Sequence, residues 1–241
     1  VFSLSNSGAA RITEVTGVKM LKALVFKEWL KIRWAALIML AIFLLAIIKI
    51  VLDVSYNIRM YQAHNYWYDL TVRGVLFYHS FYYLPLLAGL LIGATQFFAE
   101  ISSNRLKLML HLPVRENALL IFMTAFGIAA LTSIFLSGFI LLSLITIWFF
   151  PFEVLWSVWL TSLPWFLAGY AGYLSLTQVF IEPLWTKRIF YLLIAYGFIN
   201  LLLEQGGYNL YQHSWPWFIL LTMLYSISIV YSGNRFRKGV M

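Results

Sequence analysis

Between Glu116 and Glu153 the chain carries no charged residue. The stretch reads "NALLIFMTAFGIAALTSIFLSGFILLSLITIWFFPF". A helix on the surface of a soluble domain keeps a polar face, so charges return every turn or two. This run has none, and it exceeds the roughly 20 apolar residues that cross a bilayer core about 30 Å thick. Lipid offers no hydrogen bonds to the backbone, so such a segment has to satisfy its own N–H and C=O groups as a helix. Unbroken apolar runs also exclude the period-2 alternation of barrel strands.

The same kind of run recurs along the chain. Six spans are predicted, at about 34–52, 75–99, 117–148, 154–180, 188–204 and 214–232. They use up most of the 241 residues, leaving no room for a sizeable soluble domain. Only 11% of the residues are charged, where soluble domains carry about 25%. The expected fold class is an all-α polytopic membrane protein. Residues 1–19 read as an N-terminal extension or tail without the pattern of a cleavable signal peptide, 34–235 as one transmembrane domain, and 236–241 as a cytoplasmic tail.

Orientation follows from Lys and Arg. With six spans and the N-terminus inside, fourteen of the seventeen basic residues fall on the cytoplasmic side. Arg59 and Arg73 lie outside, and Lys49 near the outer end of span 1. This bias places both termini in the cytoplasm. Tyr and Trp residues such as Trp34, Trp67, Trp148, Trp185 and Trp217 fall at span boundaries, as an aromatic belt would. The net charge of +8 is thereby explained by topology rather than by nucleic acid. The sizeable outer segment is 53–74.

Two polar stretches stand out. "KMLKALVFKEWLKIRW" (19–34) is a basic amphipathic helix. Met20, Leu21, Leu24, Val25, Trp29 and Ile32 share a face, with Lys19, Lys22, Lys27, Lys31 and Arg33 around the rest. Residues 20–33 are predicted to lie along the inner leaflet before the chain turns into span 1. The second stretch is "AEISSNRLKLMLHLPVREN" (99–117). Span 2 ends at Glu100. Ser102, Ser103 and Asn104 can cap a new helix, Leu106, Met109 and Leu110 form an i, i+3, i+4 face, and Pro113 stops it. A short cytoplasmic helix with exposed apolar residues suits the groove of a partner. A smaller docking loop is "FIEPLWTKRIF" (180–190), with Glu182, Lys187 and Arg188; a plain connecting loop fits it as well.

At this point the sequence resembles a family. "FFAEISSNRLKLMLHLPVREN" and "FKEWLKIRW" are similar to segments of ABC-2-type ABC transporter permeases. The resemblance implies that the first is a coupling helix seated in a separate ATPase, with Glu100, Ser103, Asn104, Arg105, Leu106, Lys107, Met109 and Leu110 at the contact. It implies that Lys27, Glu28 and Trp29 belong to an interfacial connecting helix. It also implies two P-loop ATPase subunits, which bind the ATP and Mg, and two permease chains, identical or homologous. This chain has no G-x-x-x-x-G-K-[ST] and is expected to bind no cofactor itself.

Polar residues inside spans are functional candidates by default. Tyr82, Thr95 and Gln96 in span 2 and Asn200 in span 5 are candidates for the translocation path, with Asn200 also suited to a helix–helix hydrogen bond. Gly89 and Gly93 in span 2, and Gly169 and Gly172 in span 4, mark faces of close helix approach. Catalysis finds little support. The four histidines have no paired ligand spacing, although His64, His79 and His213 could share an outer face. There is no cysteine, and no Ser-His-Asp arrangement is readable. The expected function is the permease subunit of an ATP-driven exporter in the cell inner (plasma) membrane, moving an amphipathic or hydrophobic substrate such as a lipid, peptide or drug-like molecule. The alternative is a non-transport scaffold or sensor that recruits a cytoplasmic partner.

Overall fold

A computed structural model describes residues 4–60, 63–102, 116–204, 207–211 and 213–238. Among these there is no β-strand. The helices are α1 (Leu4–Met60), α2 (Ala63–Thr71), α3 (Leu84–Ser102), α4 (Glu116–Phe149), α5 (Phe152–Ile181), α6 (Trp185–Leu202) and α7 (Trp215–Lys238), with a 3-10 turn at His79–Phe81 before α3. Four segments are long and apolar enough to cross a membrane: Lys22–Met60, His79–Phe98, Leu119–Phe149 and Phe152–Ile181. The predicted fifth and sixth spans correspond to α6, which opens on Lys187 and Arg188, and to α7, whose apolar part is the shorter Trp215–Ile229.

The N-terminal region differs from its sequence reading. No turn separates an interfacial helix from span 1; α1 is one helix of 57 residues. Neither Gly nor Pro occurs between Lys19 and Met60, so nothing in the sequence breaks it. At 1.5 Å per residue it is about 85 Å long, far more than a bilayer core, so it extends well beyond any membrane it crosses. The predicted outer loop 53–74 is mostly helical as well, shared between the end of α1 and α2.

Within 24–36 the buried positions include polar and apolar residues. Leu24 is half-buried, and Glu28, Ile32, Ala35 and Ala36 are buried, while Val25, Phe26, Trp29 and Leu30 are exposed. The face turned into the bundle holds a glutamate, and the exposed face holds a tryptophan. In a lipid setting the polarity of the surroundings is reversed, so apolar side chains can point outward while the acid points in.

Helix α5 is the centre of the bundle. It packs against α3, α4, α6 and α7. Its closest crossing is with α3, where a Cβ added to Gly89 would overlap the carbonyl of Gly169, and one added to Gly169 would lie 2.5 Å from the carbonyl oxygen of Pro85. Lipid gives helices no hydrophobic reason to associate, so backbone contact of this kind supplies the dispersion that holds them.

Hydrogen bonds show that α6 and α7 flank α5 along its length. At one end Ser232 Oγ donates to Glu182 Oε2 (2.8 Å), and Arg188 Nε donates to the Glu182 carbonyl (2.6 Å). At the other end the Asn209 amide donates to Thr161 Oγ1 (3.0 Å). The bundle therefore has a basic end, carrying Lys27, Lys31 and Arg188 with Glu100 and Glu182, and a loop end, carrying residues 72–78, 150–151, 203–204 and 207–211.

Candidate functional site

At the basic end four helices meet through one chain of polar contacts. On α1, Lys27, Glu28 and Lys31 lie within a single turn. On α3, Gln96 and Glu100 are four residues apart and so share a face. Glu28, Gln96 and Glu100 are buried. Lys31 Nζ lies 2.6 Å from Glu28 Oε1 and 2.5 Å from Glu100 Oε1, bridging the two acids. Lys27 Nζ reaches the same Glu100 oxygen at 2.9 Å. Gln96 Nε2 donates to Glu28 Oε2 (3.0 Å) and to the Met123 carbonyl of α4 (2.7 Å). The Tyr173 hydroxyl of α5 donates to Gln96 Oε1 (2.9 Å) and approaches the Thr124 carbonyl at 3.3 Å.

Two carboxylates facing two ammonium groups keep the cluster neutral. That is the condition under which charges tolerate a low-dielectric surrounding. Burial pushes the Glu100 carboxyl up, but hydrogen bonds and charge from Lys31 and Lys27 outweigh it and hold the group below its ordinary 4.5. Glu100 Oε2 is buried and has no hydrogen-bond partner among the described residues. Gly127 of α4 makes the arrangement possible. A Cβ there would overlap the Tyr173 hydroxyl and sit 2.5 Å from Gln96 Oε1.

The residues singled out from sequence are distributed as follows. Glu100 and Gln96 enter this cluster, and so do Lys27 and Glu28. Trp29 is exposed on the opposite face of α1. Ser103, Asn104, Arg105, Leu106, Lys107, Met109 and Leu110, with the rest of the predicted coupling helix, lie outside the described residues. The four candidates for a translocation path do not come together. Gln96 is in the basic-end cluster, while Tyr82 packs against Trp165 at the loop end, ring centroids 5.1 Å apart. Thr95 Oγ1 donates to the Leu91 carbonyl of its own helix (2.9 Å). Asn200 is exposed and Nδ2 donates to the Tyr196 carbonyl of its own helix (2.9 Å). Glu182, read as a charge of a second docking loop, is buried and bonded to Ser232.

Sequence reading did not single out Tyr173 or Gly127, and it took Lys31 only as one of several surface lysines. A signal for Lys31 exists: Lys27 and Lys31 on α1 match the spacing of Gln96 and Glu100 on α3. For Tyr173, one tyrosine among fifteen in an apolar span, there is none. Among the described residues no group of three or more His, Asp or Glu is placed to hold a metal ion.

Comparison with known proteins agrees with this architecture. A search of curated proteins and a search of solved structures return no match. The family model described as "ABC-2 family transporter protein" matches residues 24–201, which includes every side chain of the basic-end cluster. The chain is thus a multi-pass membrane protein belonging to the ABC-2 transporter family.

Proposed function

We propose that this chain is the permease subunit of an ATP-driven exporter, working with two separate P-loop ATPase subunits and a second permease chain, in the cell inner (plasma) membrane. In this reading α6 and α7 complete six spans, and the basic end faces the cytoplasm in keeping with the distribution of Lys and Arg. Residues 102–112 act as the coupling helix. The cargo is amphipathic or hydrophobic.

The observation that carries the reading is the cluster of Lys27, Glu28, Lys31, Gln96, Glu100 and Tyr173. It includes Glu100, which precedes the predicted coupling helix by two residues in sequence, and it ties α1, α3, α4 and α5 into one body. A push applied just past Glu100 would then be delivered to several helices at once. Alternating access needs such rigid-body displacement across a packed interface.

The test is co-purification in mild detergent, with the native chain and with Leu106→Asp and Met109→Asp. A P-loop ATPase that accompanies the native chain and is lost from both variants, with the variants still folded, supports the reading. Should no ATPase accompany the native chain in an intact membrane complex, the exporter loses its motor and the scaffold reading takes its place.

A further inference from the structure

The loop end holds a cavity of about 380 Å³ between the α2–α3 connection, α5 and the segment after α6. Its lining includes Arg73, His79, Tyr82, Trp165, Glu204 and Tyr211. The volume suits a small molecule or the head of a larger one. The rings are held in place. Tyr82 stacks on His79 with centroids 5.6 Å apart and meets Trp165 edge-on. Tyr211 packs at a right angle on Phe218, and its hydroxyl donates to the Leu201 carbonyl. The backbone after α6 is pinned by Asn209, in the left-handed conformation (φ 60°), whose backbone N–H donates to Thr161 Oγ1 and whose Oδ1 accepts from Ser157 Oγ.

The two charges in the lining are not equivalent. Arg73 is already engaged: its guanidinium is 3.1 Å from Asp69 and lies over the Tyr68 ring at 5.9 Å. Glu204 makes no hydrogen bond or ion pair among the described residues. Burial raises the Tyr211 hydroxyl above its ordinary value, and the nearby Glu204 charge adds to that. The cavity thus presents aromatic rings and one carboxylate that has no ion-pair partner among the described residues. Ring faces carry negative potential and attract cations, best of all weakly hydrated organic ones.

We propose that this cavity binds an organic ammonium group, with Glu204 as its counter-charge and Trp165, Tyr82 and Tyr211 as its aromatic walls. The group can belong to a lipid headgroup or to a free organic cation. The assignment deepens the exporter reading by giving its cargo a chemical class, and it rests on that reading only for its role in transport. Binding requires no ATPase, so the two can fail separately.

The experiment uses the full chain in nanodiscs of phosphatidylglycerol, which lacks an ammonium headgroup. Phenyltrimethylammonium is the probe, followed by saturation-transfer NMR, with benzenesulfonate as the anionic counterpart. Saturable binding of the cation is expected, weakened at least fivefold by Glu204→Gln and largely kept by Glu204→Asp and by Arg73→Gln. Glu204 is exposed, so the isosteric change leaves the fold intact. Adding phosphatidylcholine to the discs then separates the sources: competition identifies a lipid headgroup, and its absence a free cation. Equal binding by native chain and Glu204→Gln, or preference for benzenesulfonate that Arg73→Gln abolishes, overturns the proposal.

Discussion

At the basic end, helices α1, α3, α4 and α5 meet through ion pairs and hydrogen bonds of 2.5–3.3 Å that close on one another. At the loop end, apart from the Asn209 bonds to Thr161 and Ser157, the neighbouring elements meet mainly through rings: Phe77 on Phe150 at 4.7 Å, Tyr78 on Trp165 at 5.4 Å, Trp67 on Phe150 at 6.3 Å. The difference is one of directionality. A charge-assisted hydrogen bond loses its strength within a few tenths of an ångström and a few tens of degrees. An aromatic pair tolerates centroid distances from about 4.5 to 7 Å and several tilts. The first kind of contact fixes one relative placement of helices. The second allows a family of placements while staying packed, which suits a region that surrounds a cavity.

The largest effect is expected where the comparison is sharpest. Glu100→Leu removes the acceptor that two lysines share and leaves Lys31, whose side chain is 13% exposed, with Glu28 as its remaining partner. Breaking one side of a buried ion pair costs about 3 kcal/mol. The thermal midpoint of the purified protein should fall by several degrees, and Glu100→Leu combined with Lys31→Met should recover part of the loss. Acid should act in the same direction. The Glu100 carboxyl is held below 4.5, so its contribution to stability is complete above that pH and disappears as pH falls through the lowered value. Equal acid sensitivity in native protein and Glu100→Leu would show that the pairs contribute nothing.

Gly127→Ala comes next. Its methyl group would displace the Tyr173 hydroxyl, costing the bond to Gln96 and leaving a buried amide oxygen without its donor, about 1–3 kcal/mol. Tyr173→Phe removes the nearest atom that the methyl group strikes, leaving the ring carbon Cζ against it, and the bond to Gln96 can then be lost only once. The double variant should therefore be clearly more stable than the sum of the two single losses, and simple additivity would exclude this steric account.

What the sequence made legible follows the same division. Charge-free runs require helices in lipid whatever their neighbours, so α3, α4 and α5 fall close to spans 2, 3 and 4. The α3–α5 glycines were visible because small residues three or four apart on a helix share a face that lets another backbone approach. The continuity of α1 was obscured because a dense run of lysines reads as an interfacial segment, although nothing in it interrupts a helix. The burial of Glu28 and Lys31 was obscured because which face of a helix points inward depends on a partner 68 residues away, Gln96, and not on local pattern. Tyr82, Thr95, Gln96 and Asn200 were grouped by residue type and depth. Residue type cannot say whether a polar group links two helices or bonds back to its own.

That distinction yields the smallest expected effects. Thr95 and Asn200 each donate to a carbonyl on the preceding turn of their own helix, an arrangement that satisfies the side chain without joining elements. Thr95→Ala and Asn200→Leu should shift stability by no more than about 0.5 kcal/mol. Gln96→Leu, one position from Thr95, should cost several times more because it strands Glu28 and Tyr173 together. Thr95 and Gln96 are neighbours on α3 and differ in whether the bond crosses between helices. If Thr95→Ala proves as costly as Gln96→Leu, depth rather than linkage governs these residues. If Thr95→Ala keeps stability but abolishes cargo movement, the threonine must turn to face a path in a second arrangement of the bundle. The tyrosine-rich loop end would then be the region with the freedom to reach that arrangement, while the basic end moved as one piece.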